Sequence, residues 1–152
     1  MVWHVVQWWM ARPRVLRVAA AVACASVLWW LTAMPSRDLP EVPGGHWAMN
    51  LCHVLAFGGL AVLVLGALAA RPDQFDRHAI LAVVLATLHG GALELLQAMS
   101  PGRSSSWGDA VSNGCGAAMA VCWLLWVTHR SRRAVLLLPL LAMVAAVSVA
   151  TG

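Results

Sequence analysis

Residues 15–34 read VLRVAAAVACASVLWWLTAM, twenty positions with a single charge, Arg17. An α-helix rises about 1.5 Å per residue, so this run reaches about 30 Å, the thickness of a bilayer's hydrocarbon core. Working outward along the chain, the same character returns at 47–70, 78–99 and 107–127. A shorter run, 134–150 (AVLLLPLLAMVAAVSVA), sits at the lower limit of about 17 residues for a crossing. The connections between runs are short and leave no room for a separate soluble domain. The expectation is an all-α, polytopic transmembrane helix bundle with five spans. Residues 1–14 form an N-terminal interfacial segment, 15–133 a four-helix membrane domain, and 134–152 an additional C-terminal transmembrane helix.

Composition supports that class. The chain is 61% hydrophobic and only 11% charged, against roughly 25% charged residues in a soluble domain. A net charge of +4 raises the question of nucleic acid, but the positions of the charges answer it. All ten basic residues are arginines. Arg12, Arg14 and Arg17 precede or open the first span, Arg71 and Arg77 join the second to the third, and Arg130, Arg132 and Arg133 follow the fourth. Arg37 and Arg103 alone fall on the other side. Such a bias places the arginine-rich side, with the N-terminus, in the cytoplasm. No nucleic-acid partner is expected. The first residues, MVWHVVQWWMARPR, lack an early positive region and a small-residue cleavage site. Trp3, Trp8 and Trp9 followed by arginines read as an interfacial anchor. Cys24, Cys52, Cys115 and Cys122 all fall inside spans, form no CxxC pair and read as small apolar residues.

The polar residues are concentrated in one place. LELLQAMSPGRSSSWGDAVSNGCG, residues 93–116, carries Glu94, Gln97, Arg103, Asp109 and Asn113. Threading the spans through the bilayer puts His53 and Asn113 about 9 Å below the outer boundary, Glu94 about 7 Å, and Gln97 and Asp109 about 3 Å. Residues three and four apart share a helix surface. His46, Asn50, His53 and Phe57 therefore form one stripe, Glu94 and Gln97 a second, and Asp109, Asn113 and Gly116 a third. Ionisable groups at depth turn away from lipid and find partners, so the three faces are expected to meet in one cluster, with Arg103 in reach of Glu94 or Asp109 as a charge-assisted partner. Gly90, Gly91, Gly114 and Gly116 permit close helix approach. His89, near mid-membrane, reads as a hydrogen-bonded core histidine. The spacing of the histidines with Glu94 supports no metal site, and no cofactor is expected.

In order, Glu94-x-x-Gln97, Pro101-Gly102-Arg103-Ser104 and Asp109-x-x-x-Asn113-x-x-Gly116, with His53 and Phe57 upstream, resemble the VanZ-like family of small membrane proteins. The resemblance covers about 50–127. Two positions depart from the family's pattern: Asn50 stands where Lys is frequent, and Phe57 where Tyr is usual. The resemblance implies a bacterial inner-membrane protein with an envelope role of the kind linked to resistance to the glycopeptide teicoplanin. It does not supply a reaction.

Three functions fit these residues. The first is an accessory or binding module for an anionic envelope lipid, a lipid-linked intermediate or a glycopeptide-related ligand on the extracytoplasmic side. In that reading Arg103 takes the anionic group, Ser104 offers a hydroxyl, and His53, Glu94, Gln97, Asp109 and Asn113 orient the site, supported by Asn50, Phe57 and Gly116. The second is a structural subunit with a membrane-protein partner, in which the cluster holds helices together. The third is a membrane-embedded hydrolase or transferase on a lipid, with His53 and a carboxylate as acid and base. Neither HExxH nor G-x-S-x-G occurs, so no catalytic residue is assigned.

Overall fold

A computed structural model describes residues 2–34, 45–99 and 107–129, together with 141, 142, 144 and 145. The chain is all-helical. Its elements are α1 (Val2–Met10), α2 (Arg14–Ala33), α3 (Gly45–Leu68), a 3-10 turn (Pro72–Gln74), α4 (Phe75–Ala98) and α5 (Trp107–His129). Four stretches are long and apolar enough to cross a membrane: Arg14–Ala33, Asn50–Leu68, Pro72–Ala98 and Trp107–Thr128. This is a multi-pass membrane bundle. The expected fifth span, 134–150, lies outside the described residues except for Leu141, Ala142, Val144 and Ala145, which are helical.

Prolines mark the breaks. Pro13 disfavours helical geometry in Arg12 before it, which separates α1 from α2. Its own φ of −52° and ψ of 141° suit the position just before the first turn of α2. Pro72 occupies the start of the 3-10 turn, where its missing N–H costs no helical bond.

The four long helices run up and down. Arg17 on α2 reaches Gly66 and Ala69 at the end of α3, whereas Trp29 further along α2 meets His89 of α4. Thr87 lies beside Gly114 and Gly90 beside Asn113, so α4 and α5 are antiparallel. Val54 lies beside Gly116 and Gly58 beside Ala120, so α3 and α5 are parallel. One end of the bundle therefore gathers the C-terminus of α2, the N-terminus of α3, the C-terminus of α4 and the N-terminus of α5. The opposite end carries α1 and the 3-10 turn.

The core is built from small residues. On α4 the buried positions Ala79, Ala82, Ala86, Gly90, Leu93 and Gln97 step by three and four and make a single stripe. Phe57, Leu60, Ala61 and Leu65 of α3 and Ala117, Val121 and Leu124 of α5 complete it. Inside a bilayer no hydrophobic force draws one helix to another, and close van der Waals contact between small side chains replaces it. The outward faces carry Ile80, Leu88, Leu95, Trp123 and Trp126, all exposed. In water such a surface would be an aggregation hazard; in hydrocarbon it meets a like solvent.

Candidate functional site

The polar side chains converge at the end opposite α1. Asn113 and Ser112 are completely buried on α5, and Asn50 (4% exposed), Glu94 (6%) and Gln97 (7%) are nearly so on α3 and α4. His53 and Asn113, sixty positions apart, meet directly: His53 Nδ1 lies 3.0 Å from Asn113 Oδ1. An amide oxygen only accepts, so in this contact Nδ1 of the imidazole is the donor. The bond ties α3 to α5 and is worth about 0.6 kcal/mol, up to ~2, in a membrane.

Behind this pair stands a row of rings. His53 and Phe57 are one helical turn apart on α3 and stack, with centroids 6.3 Å apart and planes 1° from parallel. Phe57 continues to His89 of α4, 6.3 Å away and tilted by 44°. His89 continues to Trp29 of α2 at 6.5 Å. The His89 ring thus stands between Phe57 and Trp29, and its Nε2 is buried and makes no hydrogen bond among the described residues. Asn113 Nδ2 is likewise buried and has no hydrogen-bond partner among the described residues.

Gly90 gives this arrangement its room. A Cβ at that position would stand 2.9 Å from Asn113 Nδ2 and 3.0 Å from both Asn113 Cβ and Phe57 Cε1. Gly90→Ala is therefore expected to push Asn113 and Phe57 apart and break the His53–Asn113 bond, at a net cost of about 1 kcal/mol. An unfolding titration in mixed micelles measures the loss, and an unchanged midpoint would show that the two side chains yield freely.

Of the residues expected in the site, His53, Phe57 and Asn113 are brought together. Asn50, Glu94 and Gln97 are buried towards the same end, and Gly116 forms the α3–α5 contact. Asp109 is half-buried in the first turn of α5, where a carboxylate suits the positive end of the helix dipole. It makes no hydrogen bond or ion pair among the described residues. Arg103, Ser104, Pro101 and Gly102 lie outside the described residues, as does the His46 side chain. Ser112, His89 and Trp29 were not expected in the site. Ser112 was open to detection, since it stands three residues after Asp109 and four before Gly116, on the same stripe.

Comparison of the chain with family models, with curated proteins and with solved structures gives no match.

Proposed function

We propose that this chain is a VanZ-like bacterial inner-membrane protein that binds an anionic envelope lipid, or a lipid-linked intermediate, at the polar end of its bundle. In this reading the polar end faces away from the cytoplasm and the arginine-rich end, with the N-terminus, faces into it. The observation that carries the proposal is the burial of five polar side chains of α3, α4 and α5 (Asn50, Glu94, Gln97, Ser112 and Asn113), with Thr32 of α2, at one end of a largely apolar bundle. Buried polar groups at membrane depth are costly, and the default reading of intramembrane ionisable residues is a functional site. Arg103 supplies the positive charge that an anionic head group needs, and the neighbouring serines supply hydroxyls.

The test is native mass spectrometry of protein extracted with its own lipids. An anionic lipid adduct on the wild type is expected to disappear in Glu94→Gln/Arg103→Ala while the fold survives. An adduct that persists in the variant, or none on either protein, would overturn the reading.

A second reading has its own support. The His53–Asn113 bond bridges α3 and α5, which is what a purely structural cluster would do. Under that reading the same double substitution lowers stability and alters no adduct.

A further inference from the structure

The opposite end of the bundle has a different chemistry, and its reading does not depend on the one above. α1 has one face on the bundle: Val6 and Met10 pack on the core. Trp9 fills the space that a side chain on Gly66 would take, its Nε1 standing 2.7 Å from where that Cβ would be. The other face is bare. Trp3 is 37% exposed, Val5 60% and Trp8 58%. α1 also touches the 3-10 turn and α5, so it lies against the end of the four-span bundle. A short helix with exposed tryptophans at that level matches the bilayer interface, where indole rings settle.

Arginines surround it. The Arg12 guanidinium lies 4.2 Å over the Trp8 ring, which holds the charge beside the exposed indole. Arg14 is exposed and uses Nε to bond the Ala67 carbonyl at 3.2 Å, which leaves its Nη donors uncommitted among the described residues. Arg77 is exposed and makes no ion pair among the described residues, whereas Arg71 pairs with Asp73 at 3.3 Å. With Arg17, this end holds five described arginines against Asp73 and Asp76. The far end holds Glu94 and Asp109 and no described arginine. The sequence continues past α5 with Arg130, Arg132 and Arg133.

From these observations we infer that the α1 end is a docking surface for anionic phospholipid head groups. α1 lies in the plane of the interface, and Arg12, Arg14 and Arg77 contact lipid phosphates. Guanidinium and phosphate match as planar donor fork and acceptor pair. The tryptophans set the depth and the arginines set the charge preference.

The experiment uses the full chain in phosphatidylcholine bilayers with trace spin-labelled phosphatidylglycerol or phosphatidylcholine. Electron paramagnetic resonance gives the fraction of each probe held at the protein surface. The expected result is a severalfold preference for phosphatidylglycerol, since each arginine near the surface contributes up to about fivefold. Arg12→Gln/Arg77→Gln, which changes two exposed side chains and keeps Arg14, is expected to lower the preference severalfold. Equal association of the two probes with the wild type would overturn the inference. So would a preference that survives undiminished in the arginine variant. Should the double variant fail to fold, salt decides on the wild type: screening shortens to about 3 Å at 1 M, so a preference that does not fall with added salt overturns the inference too.

Discussion

Gly116→Ala is expected to destabilise the bundle by about 3 kcal/mol or more, because overpacking that cannot relax lies at the top of its usual range. The added methyl would overlap the Val54 carbonyl oxygen and stand 2.7 Å from Val54 Cα. These are backbone atoms, and no rotamer change removes them. Relief requires α3 and α5 to move apart. That pair meets along Val54, Gly58, Gly116 and Ala120, and separating it also stretches the His53–Asn113 bond. Gly59→Ala is the matched control, since nothing lies within 4 Å of its Cβ position. There the gain in helix propensity, up to about 1 kcal/mol, is expected to leave the protein equal or slightly more stable. Unfolding titrations of the two variants in mixed micelles check the contrast, and similar midpoints would show that α3 and α5 are not packed as closely as described.

The same contact explains which parts of the site the sequence made legible. Apolar length decided the spans: the run at 15–34 became Arg14–Ala33, and the run at 78–99 became the greater part of Phe75–Ala98. Depth was also readable, because rise per residue is fixed, and His53 and Asn113 do meet at one level. Rotation was not. On α5, Asp109 is half-buried while Ser112 is completely buried, although both belong to the polar stretch. The close seat of Gly116 on Val54 fixes how far the helix turns, and a periodic pattern of small and polar residues does not specify that angle. His89 was visible as a residue at mid-membrane, but its ring partners come from α2 and α3. No spacing within α4 announces them.

Charge patterning is limited in a more instructive way. It counts arginines by side and is silent on what each guanidinium touches. Arg12 and Arg14 are exposed, as a count of that kind assumes. Arg17, one helical turn further on, is 4% exposed. Its Nη1 donates to the carbonyls of Gly66 and Ala69, the latter at 2.8 Å, and lies 3.2 Å from Met10 Sδ. The last carbonyls of a helix have no partners of their own. Here α3 has its terminal oxygens satisfied by arginines of the neighbouring helix, with Arg14 taking Ala67, and the positive charge sits at the negative end of the α3 dipole.

Arg17→Ala is accordingly expected to cost about 2–4 kcal/mol, because hydrogen bonds to a charged group are worth roughly 1.5–3 kcal/mol each when the partner is left buried. The loss has two parts. The carbonyls of Gly66 and Ala69 lose their donor, and Met10, which Arg17 also touches, loses its hold on α2, so α1 loosens with it. Arg17→Lys is expected to fall between the wild type and Arg17→Ala, since an ammonium keeps the charge and several donors but sits on a side chain one bond shorter than the one that carries Nη1 to both carbonyls. Arg12→Gln, at an exposed position, is expected to stay within about 0.5 kcal/mol of the wild type. The three variants separate two ideas about this end. If arginines act here only by their charge relative to the membrane, Arg17→Ala and Arg12→Gln unfold alike. If Arg17 caps α3, only Arg17→Ala shows the large loss, and amide exchange near the α3 C-terminus and in α1 accelerates in that variant alone.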